Sequence, residues 1–417
     1  MIGSHRLVRH YLENVRKSAA LPLKVRLWQG DEVALSDQPK VTLHLRSPRA
    51  ARELLRADLT SLGRAYVEEQ VDLDGDVSDA IEIAHHLAER NGQSPRRGRR
   101  RSWFTRHSRQ SDRAAIQYHY DVSNSFYAAF LDPRMVYSCA YYRHGNEDLA
   151  TAQLQKLDHI CRKLRLAPGQ RFLDIGCGWG ALVIHAAERY GVQAVGITLS
   201  EQQFELAHER VRAAGLQDQV EIRLQDYRDV QEVGGFDRIA SVGMFEHVGL
   251  PRLRLYFQRI YDLLRPGGIA LNHGITAADT NSRWIGMGAG EFIDRYVFPD
   301  GELPHVALAV KELSVAGLEL ADAESLRRHY ALTLSAWSKA FERHFDALRQ
   351  IAGERKARIW RVYLAGCAWA FAQGWVNIYQ LLAVKPQAGP MGQESPLPLS
   401  REYMYLDDSP RAQQHDC

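Results

Sequence analysis

Cysteine is scarce and scattered, with Cys139, Cys161, Cys177, Cys367 and Cys417 the only five in 417 residues and no C-x-x-C pair among them. Neither a disulfide framework nor a thiolate zinc site is indicated. The seventeen histidines form no cluster at metal-ligand spacing, and His85-His86 read as part of a solvated helical face, so no metal is expected. No apolar run reaches the ~18 residues of a membrane span. The amino-terminal stretch lacks the apolar core and cleavage site of a secretion signal, so a cytoplasmic protein is expected. Internal repeats are absent, and so is any recognisable nucleic-acid reading motif. The net charge is only +3, and hydrophobic residues make up 45% of the chain, enough for a sizeable core.

Against these absences stands Leu173-Asp174-Ile175-Gly176-Cys177-Gly178-Trp179-Gly180, a strand end running into a glycine-rich turn. Glycines at alternate positions let a ligand's polar tail approach bare backbone. Helical spacing from Ala181 to Arg189 makes this a βα unit, whose ligand sits at the carboxyl end of the strand. Further strands are expected at Gln193–Thr198, Val220–Leu224 and Phe236–Gly243, with Ser200 capping a helix between the first two. Repeated βα steps imply a doubly wound parallel sheet. A dinucleotide site calls for a third glycine at the helix start and an acid ending the second strand. Here that strand ends in Thr198, which suits S-adenosylmethionine better than NAD and leaves Asp226 to accept from the adenine amino group.

Four segments are expected: a small α+β domain over 1–95, a basic linker over 96–113, a catalytic region over 114–386 and a disordered Pro-, Gly- and Ser-rich tail over 387–417. The linker holds eight arginines and one acid, with Trp103-Phe104 among them, a composition fit for a solvated spacer or for anionic lipid headgroups. A fifth strand at Ile269–Asn272 and a last strand at Val376–Val384 flank a helical insertion. Its Trp337, Phe341, Phe345, Ile351, Trp360, Tyr363, Trp369 and Phe371 recur at helical spacing. Ordinary core accounts for most of them, and an acyl channel is the expected use of the rest.

Two further segments carry chemistry. Val242 to Gly249 follows the fourth strand, and an aromatic-rich stretch runs from Tyr118-His119-Tyr120-Asp121 through Asn124, Phe126 and Leu131-Asp132-Pro133 to Tyr137-Ser138-Cys139-Ala140-Tyr141-Tyr142. With Gly196 to Gln203, Gly243 to Gly249, Asn272-His273-Gly274-Ile275, Arg295 to Gly301, His329-Tyr330 and Trp337, these pieces fall in an order that resembles the cyclopropane fatty acid synthase family. The resemblance covers about residues 116–386. It extends more faintly to Gly63, Tyr66 and Asp72-x-Asp74-Gly75-Asp76.

The resemblance implies a Rossmann-like class I methyltransferase fold with a helical insertion, and one-carbon transfer from S-adenosylmethionine to the cis double bond of an unsaturated phospholipid acyl chain. It implies that a bound bicarbonate ion removes the proton that lets a cyclopropane ring close, held by Cys139 and Ile275 through backbone and by Glu246, His273 and Tyr330 through side chains. His273, or the bicarbonate proton, is then expected to bridge to Glu246. Nothing basic flanks Cys139 in sequence, so it is not expected to be a nucleophile. Tyr142, Tyr330 and Trp284 are candidates for stabilising a carbocation through aromatic faces. For the cofactor, Tyr137 and Ser138 are expected at the methionine end, with Asp174, Gly176, Gly178 and Gly180 at the turn. Thr198 and Gln203 fall on the ribose side, and Asp226 and Tyr227 around the adenine. Methyl-branched or methylene products, or a silent lipid-binding homologue, are the alternatives. A homodimer and peripheral attachment to the inner face of the membrane complete the expectation.

Overall fold

The computed structural model describes residues 2–56, 58–90, 123–282, 289–298, 302–387 and 395–405. The basic linker, Tyr118 to Asp121, Trp284 and Pro299 to Gly301 lie outside them. The chain begins α1 (Ile2–Ser18), β1 (Leu23–Arg26), β2 (Glu32–Ala34), β3 (Val41–Leu45), α2 (Pro48–Arg56), α3 (Leu59–Val67), β4 (Val71–Asp74) and α4 (Val77–Arg90). It continues α5 (Asn124–Ala128), α6 (Leu149–Lys163), β5 (Arg171–Ile175), α7 (Ala181–Tyr190), β6 (Gln193–Thr198), α8 (Glu201–Ala213), β7 (Val220–Leu224), β8 (Phe236–Val242), α9 (Leu253–Leu263) and β9 (Leu264–Ala277). Last come α10 (Ala289–Tyr296), α11 (Val306–Val315), β10 (Glu319–Ser325), α12 (Arg327–Arg343), α13 (Phe345–Ala352), α14 (Glu354–Ala372) and β11 (Val376–Val384).

Two compact units emerge, and their division differs from the expected one. Residues 1–101, 284–299 and 334–375 form one; residues 102–283, 300–333 and 376–417 form the other. Most of the helical insertion thus groups with the amino-terminal residues. In that first unit the sheet runs β2-β1-β3-β4, with β1 and β3 parallel and the other pairs antiparallel. Val8, Leu12 and Val15 of α1 recur at helical spacing and are buried in its core with Val25, Leu45 and Leu54. Trp337, Phe341, Trp360 and Phe371 are buried as well, whereas Ile351 is exposed.

The second unit is built on a seven-stranded sheet, order β10-β11-β9-β8-β5-β6-β7. β9, β8, β5, β6 and β7 are parallel; β11 and β10 close one edge antiparallel. Strand residues alternate between two apolar layers, since Phe172, Ala194, Ala240 and Leu271 pack with α6, α7 and α8 while Leu173, Val195, Ile239 and Ala270 pack with α9 and α11. A sheet covered on both faces requires this near-continuous apolar composition. β10 was not anticipated within the insertion. The carboxyl-terminal segment is also corrected in part: residues 395–405 are ordered, because Leu397 and Met404 insert into the α6–α8 layer. Arg401 Nη2 donates to Ala321 O at 2.5 Å. Among the described residues, no helix is long and apolar enough to cross a membrane.

Candidate active site

A cavity opens at the carboxyl ends of β5, β6, β7 and β8, where a doubly wound sheet places its ligand. Gly176 and Gly178 of the expected turn line it, as do Asp174 and Thr198 at the strand ends. Gly176 has φ 83°, and a Cβ there would meet Met244 Cγ at 3.0 Å, so only glycine keeps the turn open. Thr198 Oγ1 donates to Gln203 Oε1 at 2.8 Å, and Ser200 Oγ accepts from Gln203 N at 3.3 Å, so the helix cap and the cavity wall are one hydrogen-bonded unit. Gln203 and Tyr227 line the cavity too.

Tyr137 and Ser138 reach the cavity from a loop held by α6. The Asp132 carboxylate accepts from the N–H groups of Arg134 and Val136, fixing the turn before them. Gln153 Nε2 donates to the carbonyls of Val136 and Ser138, and Lys156 Nζ donates to Ser138 Oγ at 2.8 Å. Lys156 lines the cavity while only 2% exposed. Burial pushes its ammonium down and the Asp174 carboxyl up, with Lys156 opposing the latter shift. Asp174 Oδ1 is enclosed and makes no hydrogen bond among the described residues.

Two expected cofactor residues stand elsewhere. Gly180 caps α7 with φ 82° and lies outside the cavity wall, its Cβ position facing Ala207. The Asp226 carboxylate is taken by Arg228, Oδ1 accepting from Nε at 2.9 Å and Oδ2 from Nη2 at 2.6 Å. Gln225 and Tyr227, on either side, line the cavity in its place. The sequence reading missed Lys156, while Trp179, Met244 and His247 lie in the motifs it singled out without being assigned a contact. Lys156 had a signal, since Gln153, Lys156, His159 and Lys163 mark a polar stripe at helical spacing on the buried face of α6.

The five residues expected at the anion fall on the structure as follows. After β8, the chain turns so tightly against β9 that a Cβ on Gly274 would lie 2.6 Å from the Phe245 ring. Glu246 is thereby directed at β9, where its Oε1 accepts from Ile275 N at 2.7 Å. Its Oε2 is enclosed and unpartnered among the described residues, and burial pushes the carboxyl up to about 7 against the pull of the Ile275 N–H. His273, two residues earlier on β9, is fully buried and held well below the usual imidazole range by burial and by Lys156 and Lys163. Among the described residues His273 makes no direct hydrogen bond to Glu246. Its Nδ1 faces Gln380 Nε2 on β11 at 3.2 Å, and its Nε2 is unpartnered among the described residues.

Cys139 is buried, and its thiol donates to Ala140 O at 3.2 Å; burial raises its pKa, which removes it as a nucleophile. The next residues are fixed by α12: Ala140 N donates to Thr333 Oγ1 and Tyr142 N to His329 Nδ1, both at 3.0 Å. Tyr141 is stacked between His159 and His329, with centroids 4.2 and 4.8 Å away. Tyr330, on the same turn of α12 as His329, is 9% exposed, and burial pushes the Tyr142 hydroxyl up to about 12.

Comparison with known proteins agrees with this arrangement. Residues 107–381 match the family model described as mycolic acid cyclopropane synthetase, and residues 10–94 match a domain of unknown function. A Pseudomonas putida protein named as a probable fatty acid methyltransferase is 47% identical over 93% of this chain and 98% of its own length. The cyclopropane-fatty-acyl-phospholipid synthase of Escherichia coli is 40% identical over 63% of this chain and 66% of its own. The crystal structure of mycolic acid cyclopropane synthase CmaA1 complexed with SAH and CTAB superposes with a TM-score of 0.62 at 34% identity, covering 66% of this chain and 98% of that one. The expected class I fold is what the sheet order and these likenesses show, and the chain belongs to the mycolic acid cyclopropane synthetase family of S-adenosylmethionine-dependent methyltransferases.

Proposed function

We propose that the protein alkylates the cis double bond of unsaturated phospholipid acyl chains and closes a cyclopropane ring. The observation that carries this reading is the pair of enclosed, unpartnered polar atoms, Glu246 Oε2 and His273 Nε2, attached to residues at β9 beside the cofactor turn. An unpaired buried polar atom costs about 1–3 kcal/mol, so each of the two points to a missing polar partner.

S-adenosylmethionine, when bound, supplies an electrophilic methyl carbon. Tyr137, Ser138, Gly176, Gly178, Thr198, Gln203 and Tyr227 line the cavity that would hold it, and the enclosed Asp174 Oδ1 offers an acceptor to its cationic end. The cofactor's methyl carbon would pass to the alkene as the carbon–sulfur bond breaks and S-adenosylhomocysteine leaves, so that the acyl chain would carry the positive charge. The faces of Tyr142 and Tyr330 stabilise that charge without capturing it. Ring closure then needs a proton removed from the transferred carbon. Neither Glu246, whose carboxyl holds a proton up to about pH 7, nor His273, with its depressed basicity, is a strong base here. Both suit the donor role instead, so Glu246 and His273 would hold a bicarbonate ion and it would supply the base.

A second reading, a methyl-branched product, draws support from the name of the Pseudomonas putida relative. The test is incubation with trideuteromethyl-labelled cofactor and monounsaturated phospholipid vesicles, with and without bicarbonate, followed by mass spectrometry of the acyl chains. A ring retains two deuterons and no alkene; a methyl branch formed by proton loss from the chain retains three. Unmodified chains would leave only the silent lipid-binding alternative.

A further inference from the structure

The antiparallel pairing of β9 with β11 sets Gln380 directly opposite His273, and both side chains are wholly buried, each 0% exposed. Gln380 Nε2 lies 3.2 Å from His273 Nδ1. With the amide nitrogen turned to the ring, Gln380 Nε2 donates, and His273 Nδ1 accepts and carries no proton. We propose that Gln380 is a positioning residue that locks His273 in the Nε2–H form, so that the histidine presents a donor to an oxyanion. The proposal rests on the functional reading above.

Three observations converge on it. His273 Nε2, the atom left to carry the proton, has no partner among the described residues. Glu246 Oε2, whose partner oxygen is held by Ile275 N two residues along β9, is unpartnered likewise, so a second donor is available when the carboxyl is protonated. Lys156 and Lys163 oppose a charge on the ring, so His273 stays neutral and its single proton has only two possible places. Which of them it takes decides the site. With the proton on Nδ1, Nε2 would turn a lone pair toward a bound anion and repel it. With its Nε2 toward the ring, Gln380 disfavours that state without adding charge, which a carboxylate in its position would not do.

The test reads the tautomer directly. Nitrogen-15 NMR of protein labelled at histidine, with the His273 signals identified by their loss in His273→Asn, should show a protonated Nε2 and a bare Nδ1 in the native protein. No substrate is needed. Gln380→Met should give mixed tautomers and lower kcat by about ten- to hundred-fold, the range found when the partner behind a ligating histidine is removed. Cofactor Kd should stay within about two-fold, because Gln380 is not part of the cavity wall. Gln380→Glu should move the proton to Nδ1. A native signal with the proton on Nδ1 overturns the proposal, as does a Gln380→Met protein that keeps a pure Nε2–H form and full turnover. If the native enzyme proves indifferent to bicarbonate, the functional reading falls while the tautomer result stands by itself.

Discussion

One cluster in each unit buries ionisable side chains, and the two clusters do so in opposite ways. In the amino-terminal unit, Arg361 forks onto Glu342 with bonds of 2.6 and 2.7 Å and donates to Tyr66 Oη at 2.9 Å; Arg358 reaches Asp72 at 2.6 Å and the carbonyls of Tyr66 and Val71. These guanidiniums are spent on the fold, tying α14 to α3, α12 and β4. In the catalytic unit, Glu246, His273 and Asp174 each keep one buried polar atom without a partner. Saturated charge fixes architecture, and unsaturated polarity is kept for a ligand.

The comparison is broken most severely at Glu246. Glu246→Leu, which removes the donor to the anion and with it the bound base, should lower turnover by about 10²- to 10⁴-fold, with calorimetric cofactor affinity nearly unchanged. An active variant would remove the anion model. Arg361→Met is the matching cut in the other unit and should cost about 3–5 kcal/mol in urea unfolding, because Glu342 is left charged and unpaired. Arg361→Met combined with Glu342→Leu should recover most of that loss. A single variant that loses less than about 1 kcal/mol would show that the cluster is not structural.

The third contrast is in pH. Glu246 has its folded pKa raised from 4.5 to about 7, so its contribution to stability is complete below pH 4.5 and is lost as pH rises through about 7. At ~1.4 kcal/mol per unit, the protein without cofactor should weaken by up to roughly 3 kcal/mol across that window. Glu246→Gln should remove this share of the fall, leaving that of Asp174, whose carboxyl is raised to about 7 likewise, and be the more stable protein at pH 8. In the paired cluster the sign is reversed: Asp72 is held below its ordinary range by Arg358 and Arg46, so its contribution is lost only in acid. Buffers spanning both regions separate the two.

Much of this was legible beforehand. β6 and β11 fall on the expected residues because strands covered on both faces are largely apolar, edge strand β7 because Val220, Ile222 and Leu224 alternate with Glu221 and Arg223, and the Gly176 turn needs glycine. β10 was hidden because Glu319-Leu320-Ala321-Asp322-Ala323-Glu324-Ser325 carries residues that strands disfavour. Its carboxylates are recruited by Lys163 and His159, an interaction of high sequence separation. Residues 395–405 read as tail because two anchors, Leu397 and Met404, are too sparse to form a pattern. Asp226 is turned to Arg228, two residues on, a local pairing that the sequence reading did not weigh. The deeper limit concerns His273 and Gln380, 107 residues apart, whose relation exists only once β9 and β11 pair.

The smallest effect tests whether the two classes of hydrogen bond are as separate as this. Ser200 is a helix cap by geometry, yet the N–H it receives belongs to Gln203, whose side chain accepts from Thr198 on the cavity wall. Ser200→Ala should cost about 1 kcal/mol of stability, the usual value of such a cap. It should also weaken cofactor binding several-fold, since the first turn of α8 carries Gln203 to the wall. Ser200→Asp, which restores an acceptor, should recover stability and affinity together. Should affinity stay unchanged in Ser200→Ala while stability falls, capping and ligand binding are independent at this turn, and the cavity wall is held by Thr198 alone.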